Sequence, residues 1–151
     1  MKQHNFWRAL AAGLAGTLVM TIVMFMAPAM GIPPMPIGKM LAGFMGIPEA
    51  LGWIAHFMIG TGLALAYVYV FSSKLPGNSW VRGALYGLIP WFVMQIMVFP
   101  MMGAGLFASS TQAPVMMVMG SLIGHVVYGA VVGGVYGSES AQLETVSVAH
   151  R

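Results

Sequence analysis

Four stretches of the chain, 9–30, 50–71, 83–106 and 114–137, each run 22 to 24 residues without an Asp, Glu, Lys or Arg. At about 1.5 Å per residue, a 22-residue helix reaches about 33 Å, enough for a bilayer hydrocarbon core of about 30 Å. Charged residues are 6% of the 151, against about 25% in a soluble domain. So few charges cannot cover a water-facing surface. The expected fold is all-α: a four-helix transmembrane bundle forming one integral membrane domain over 1–151, with the lipid bilayer as its solvent.

The first run also reads as a signal peptide, with Ala27, Pro28 and Ala29 as a cleavage site. Its length argues against that, because a signal core spans about 7–15 residues. The third run also echoes it. At an offset of 74, Arg8, Gly13, Leu14, Val19, Met20, Ile22 and Phe25 coincide with Arg82, Gly87, Leu88, Val93, Met94, Ile96 and Phe99. At an offset of 69, Ile54, His56, Gly60 and Tyr67 of the second run coincide with Ile123, His125, Gly129 and Tyr136 of the fourth. The chain therefore reads as two tandem two-helix repeats, related by a pseudo-two-fold along the membrane normal.

The connection 31–49 is rich in Pro, Gly and Met, and Pro33, Pro34 and Pro36 forbid a continuing helix. Within it, 37–44 suits a short interfacial helix. Pro90 is expected to kink the third span, and 138–151 to form a loose cytoplasmic tail. Orientation follows the cations. Lys2, Arg8, Lys74, Arg82 and Arg151 fall on one side and Lys39 alone on the other, which puts both termini in the cytoplasm. Trp7 and Trp80 suit the inner interface and Trp53 the outer. The net charge of +3 comes from scattered residues and points to no nucleic-acid partner.

Few groups carry chemistry. The absence of cysteine excludes disulfides and thiolate sites. The only carboxylates, Glu49, Glu139 and Glu144, lie outside the apolar runs, so neither a paired-carboxylate site nor a membrane proton relay is supported. No phosphate loop or nucleophile elbow is present. A non-enzymatic protein is expected.

His56 and His125 stand out, because histidine is costly in hydrocarbon and these two are paired by the repeat. Glycines 52 and 60 share a helix face with His56, and Gly129 shares that of His125. One reading is packing, with Ser121 as hydrogen-bond partner one turn before His125. The other is a ligand pair, since a neutral imidazole is a common metal ligand. Facing histidines flanked by glycine also suit the two axial positions of haem b. Thr21 and Gln95, at matched positions, read as interhelical hydrogen-bond partners.

Fifteen methionines besides the initiator all fall at or outside the midplane in this topology. Thioether is a soft ligand suited to Cu(I), and the candidate copper set is His56, His125, Met20, Met24, Met94 and Met97. The competing reading is that methionine fills irregular gaps and builds adaptable partner surfaces.

The segments MGIPPMPIGKMLAGFMG (30–46), LGWIAHFMIG (51–60) and SLIGHVVYGAVVGGVYG (121–137) resemble an uncharacterised bacterial family of small four-span membrane proteins. The resemblance covers about residues 9–137 and implies a bacterial inner-membrane location and an unassigned role. It offers no site to carry over. Where that family has an acidic residue after a Pro-Met pair, this chain has Pro36. The expected function is an accessory or interaction subunit, homo-oligomeric or in a larger membrane complex, with no cofactor. The alternative is haem b or copper binding at His56 and His125.

Overall fold

The computed structural model describes residues 5–149, with side chains through residue 137. Lys2 and Arg151, which enter the orientation argument, lie outside the described residues. The chain is an all-α bundle with no strand among the described residues. Four segments are long and apolar enough to cross a membrane: Phe6–Met30, Glu49–Phe71, Ser79–Met101 and Pro114–Gly137.

Helix α1 (Phe6–Met26) begins at an Asn5 cap, whose side chain accepts from the Arg8 N–H at 3.1 Å. It ends in a 3₁₀ turn, Ala27–Met30, closed by Gly31 at φ 81°. The proline-rich return leads into α2 (Ile37–Met45), which stops at Gly46 with φ 67°. Helix α3 (Glu49–Ala66) continues as a π-helical turn, Tyr67–Phe71. Helix α4 (Ser79–Val93) starts at a second asparagine cap, Asn78, bonded to the Val81 N–H. It carries Pro90 inside, then a π-helical turn, Met94–Val98, and a last helical turn, Phe99–Met101. Helix α5 is Pro114–Ala149.

Several boundaries differ from the sequence expectation. The third span occupies 79–101 rather than 83–106. The Asn78 cap moves its start back, and Gly103 and Gly105, with φ of 80° and 75°, end it early. Helix α5 runs past 137, where a loose tail was expected; Ala, Gln, Leu and Glu after Gly137 are good helix formers. A short helix forms in the 31–49 connection, at Ile37–Met45.

Helix α1 packs on α3 and α5, α4 packs on α5, and α2 packs on α3. Leu14, Leu18, Ile22 and Phe25 form an exposed stripe along α1, at the spacing of one helix face.

Lipid tails are as apolar as the side chains, so helix association depends on close packing and hydrogen bonds. Small residues supply the packing. A side chain on Gly83 would strike the Gly129 carbonyl, one on Gly129 the Gly83 carbonyl, and one on Gly87 the His125 carbonyl. Between α1 and α3, a Cβ on Gly13 would lie 2.8 Å from the Thr61 backbone.

The two hairpins are packed in different registers. Gly60 faces Thr17, whereas its sequence counterpart Gly129 faces Gly83, which aligns with Ala9 rather than with Thr17.

Buried aromatic residues fill the end of the bundle nearest the start of α1. Tyr67, Tyr86 and Tyr128 cluster there with Val132, Ala9 and Ala12. Met35, Phe99, Ala108 and Met117 form a second cluster at the opposite end. Between the two lies a cavity.

Candidate binding cavity

The cavity has a volume of about 150 Å³ and is walled by α1, α2, α3, α5 and the π-helical turn after α4. Helix α3 contributes His56, Ile59, Gly60 and Leu63, and α5 contributes Ser121, Gly124, His125 and Tyr128. Helix α1 adds Thr17, Met20 and Met24, and Met94 and Val98 come from the π-helical turn after α4. Met35 and α2, with Ile37, Met40 and Leu41, complete the wall.

Helix α2 reaches the cavity because it lies directly on α3. A side chain on Gly52 would meet the Gly38 carbonyl, and one on Gly38 would meet the Trp53 ring. Only glycine at both positions allows that approach. Tyr128 donates its phenolic proton to the Gly60 carbonyl and so ties α5 to α3 at the cavity wall.

Both histidines are buried, each 8% exposed. Thr21 Oγ1 lies 2.7 Å from the Thr17 carbonyl, which can only accept, so the hydroxyl proton points there. His56 Nε2 sits 3.1 Å from the same hydroxyl oxygen and therefore donates to it. The remaining nitrogen, Nδ1, carries the lone pair of the neutral ring. In His125 the assignment reverses. Its Nδ1 lies 2.8 Å from the Ser121 carbonyl and must donate, leaving the lone pair on Nε2. Among the described residues, no hydrogen-bond donor reaches either lone pair.

The histidines also share a depth. His56 bonds to Thr21, and a Cβ on Gly124, beside His125, would lie 3.4 Å from Met20 Cε. Both rings thus sit at the level of Met20 and Thr21.

Of the methionines proposed from sequence, Met20, Met24 and Met94 line the cavity with both histidines. Met97 does not, and its side chain is 54% exposed. Sequence reasoning missed Met35, Met40, Thr17 and Tyr128. Prolines 33, 34 and 36 signalled that the chain turns back after α1, but no periodic pattern marks which residues then face inward.

Ser121 does partner His125, through its backbone carbonyl. Its hydroxyl accepts from Gln95 Nε2 at 2.9 Å and donates to the Val118 carbonyl. Gln95 is fully buried, and its Oε1 has no hydrogen-bond partner among the described residues. At the far end of α1, Arg8 donates to the Val135 carbonyl at 2.7 Å and lies over the Tyr136 ring at 5.6 Å. Glu49 is exposed at the start of α3. Among the described residues, no three of His, Cys, Asp and Glu cluster as a metal site.

No curated protein and no solved structure matches the chain. A family model, described as a family of unknown function (DUF6789), matches residues 3–146. With nearly its whole length inside that match, the chain belongs to the DUF6789 family.

Proposed function

We propose that the protein is a non-enzymatic subunit of a bacterial inner membrane, built around one internal binding cavity and acting within a larger assembly. The observation that carries the reading is the cavity wall. Its polar side chains are a threonine, a serine, a tyrosine and two histidines; no carboxylate or lysine stands among them for ion-coupled transport, and the N–H of each histidine is committed to a fixed acceptor.

The methionines supply the support for assembly. Met26, Met30, Met45, Met58, Met97 and Met101 are each more than half exposed, and flexible thioether side chains make adaptable contact surfaces. The experiment is purification from native membranes in mild detergent. The reading expects co-purifying protein and an apparent size above that of the monomer. A lone monomer, with no partner after chemical cross-linking in the membrane, contradicts it.

The alternatives from sequence separate by size. A volume of about 150 Å³ is below the ~300–1,000 Å³ of ordinary small-molecule pockets. Haem b would require the helices to part, whereas a single metal ion would not.

The proposed orientation keeps both termini in the cytoplasm, with Lys74 inside and Lys39 outside. The chain has no cysteine, so single cysteines report cleanly. A cysteine at 39 will label from outside intact cells and one at 74 will not; the reverse pattern inverts the topology.

A further inference from the structure

We infer that His56 Nδ1 and His125 Nε2, joined by the thioether of Met20, form a binding site for a soft monovalent metal ion of the Cu(I) class. The inference deepens the reading of the cavity as a binding site and rests on it.

Three observations lead to the metal class. The first is the pair of uncommitted lone pairs. Each imidazole has one N–H held by a fixed acceptor, the Thr21 hydroxyl for His56 and the Ser121 carbonyl for His125. This is the arrangement that orients a metal-ligating histidine, with the second nitrogen free to bind.

The second observation is the rest of the donor set. The cavity wall adds the sulfurs of Met20, Met24, Met35, Met40 and Met94. Of these, Met20 packs against Gly124, the neighbour of His125, and lines the same cavity as both histidines. A thioether is soft and needs no deprotonation, so it suits Cu(I).

The third observation is what the donor set does to harder ions. Zn²⁺ sites are built from several thiolate, imidazole and carboxylate ligands. Here no third group of those types joins the two histidines among the described residues. A divalent ion would keep its whole charge in an apolar cavity. A monovalent ion brings less charge to desolvate, and the soft sulfur ligands fit it alone.

Thr21 is a positioning residue in this site. Its hydroxyl accepts from His56 Nε2–H because its own proton is held by Thr17. Loss of the hydroxyl frees the ring to rotate or change tautomer. Outer partners of metal-bound histidines contribute about 10–100-fold to affinity.

The test is an anaerobic titration of the purified full-length protein with Cu(I), against a chromogenic Cu(I) chelator, with Zn²⁺ as a second probe. The wild type is expected to take up one Cu(I) per chain, and Zn²⁺ not to displace it. His56→Ala and His125→Ala are expected to abolish that uptake. Thr21→Val should weaken it by about 10–100-fold, while Thr21→Ser restores it. Met20→Leu should weaken it, and Met97→Leu should leave it unchanged. Size-exclusion elution and helix content report whether each variant folds. If the alanine variants do not, the volume-conserving Met20→Leu and the Thr21 pair decide. No Cu(I) uptake by the wild type overturns the inference. So does uptake that Met20→Leu and Thr21→Val leave intact, which would assign the metal to the exposed methionines. In either case, co-purification of a partner or of another small guest would leave the proposed function standing.

Discussion

Replacing Gly129 with leucine is expected to unfold the α4–α5 pair. Gly83 and Gly129 each have the other's carbonyl where a side chain would begin, Gly87 meets the His125 carbonyl, and Gly133 meets that of Ser79. The two backbones touch along this line, with no flexible side chain between them to yield. In a soluble core, overpacking costs about 1–3 kcal/mol. Backbone against backbone belongs at or above the top of that range, and within lipid no hydrophobic force restores the pair. Thermal unfolding in detergent, followed by circular dichroism, should show the Gly129→Leu midpoint well below wild type or no folded protein. Gly43→Leu is the matched control, since a side chain there meets nothing within 4 Å. Equal melting of the two variants would mean that α4 and α5 do not pack this way.

Gly52→Val is expected to act differently, opening the cavity while leaving the spans assembled. The added side chain would enter the Gly38 carbonyl and press on the Ala42 backbone nitrogen at 3.0 Å, so α2 must lift from α3. Ile37, Met40 and Leu41 would leave the cavity wall with it. A cysteine in place of Met40 reports the change in the otherwise cysteine-free chain. A penalty of about 1–3 kcal/mol on the closed arrangement corresponds to a rise of about 5- to 150-fold in maleimide labelling rate. An unchanged rate would show that α2 is not clamped by the two glycines.

The four spans were legible because an uncharged run of bilayer length has few other structural solutions. Their ends were not, because asparagine caps and left-handed glycines set them rather than hydropathy. Asn5 and Asn78 each begin a helix before its apolar run becomes continuous.

The histidine pair was legible as a pair, but not the route by which it meets. The sequence offset suggests equivalent seats in two like hairpins. In the bundle, Gly60 faces Thr17 while Gly129 faces Gly83, and α1 brings the rings level through Thr21 and Met20. Which methionines turn inward depends on helical phase. Met94 and Val98, four residues apart and so on one helix face, both reach the cavity, while Met97 is exposed. The periodicity fits that pairing, but which face of the helix turns inward is not written in a run that is apolar all round. Met35 and Met40 reach the cavity only because the proline-rich return folds over it.

The most direct measurement of the central claim is the protonation site of each buried imidazole, read by long-range ¹⁵N–¹H correlation in ¹⁵N-histidine-labelled protein. Single His→Gln variants assign the four rings. The metal-free protein should show His56 protonated on Nε2 and His125 on Nδ1, and one equivalent of Cu(I) should move the His56 Nδ1 and His125 Nε2 signals together. The same tautomer in both rings, or a Cu(I) response confined to His4 or His150, would contradict the account.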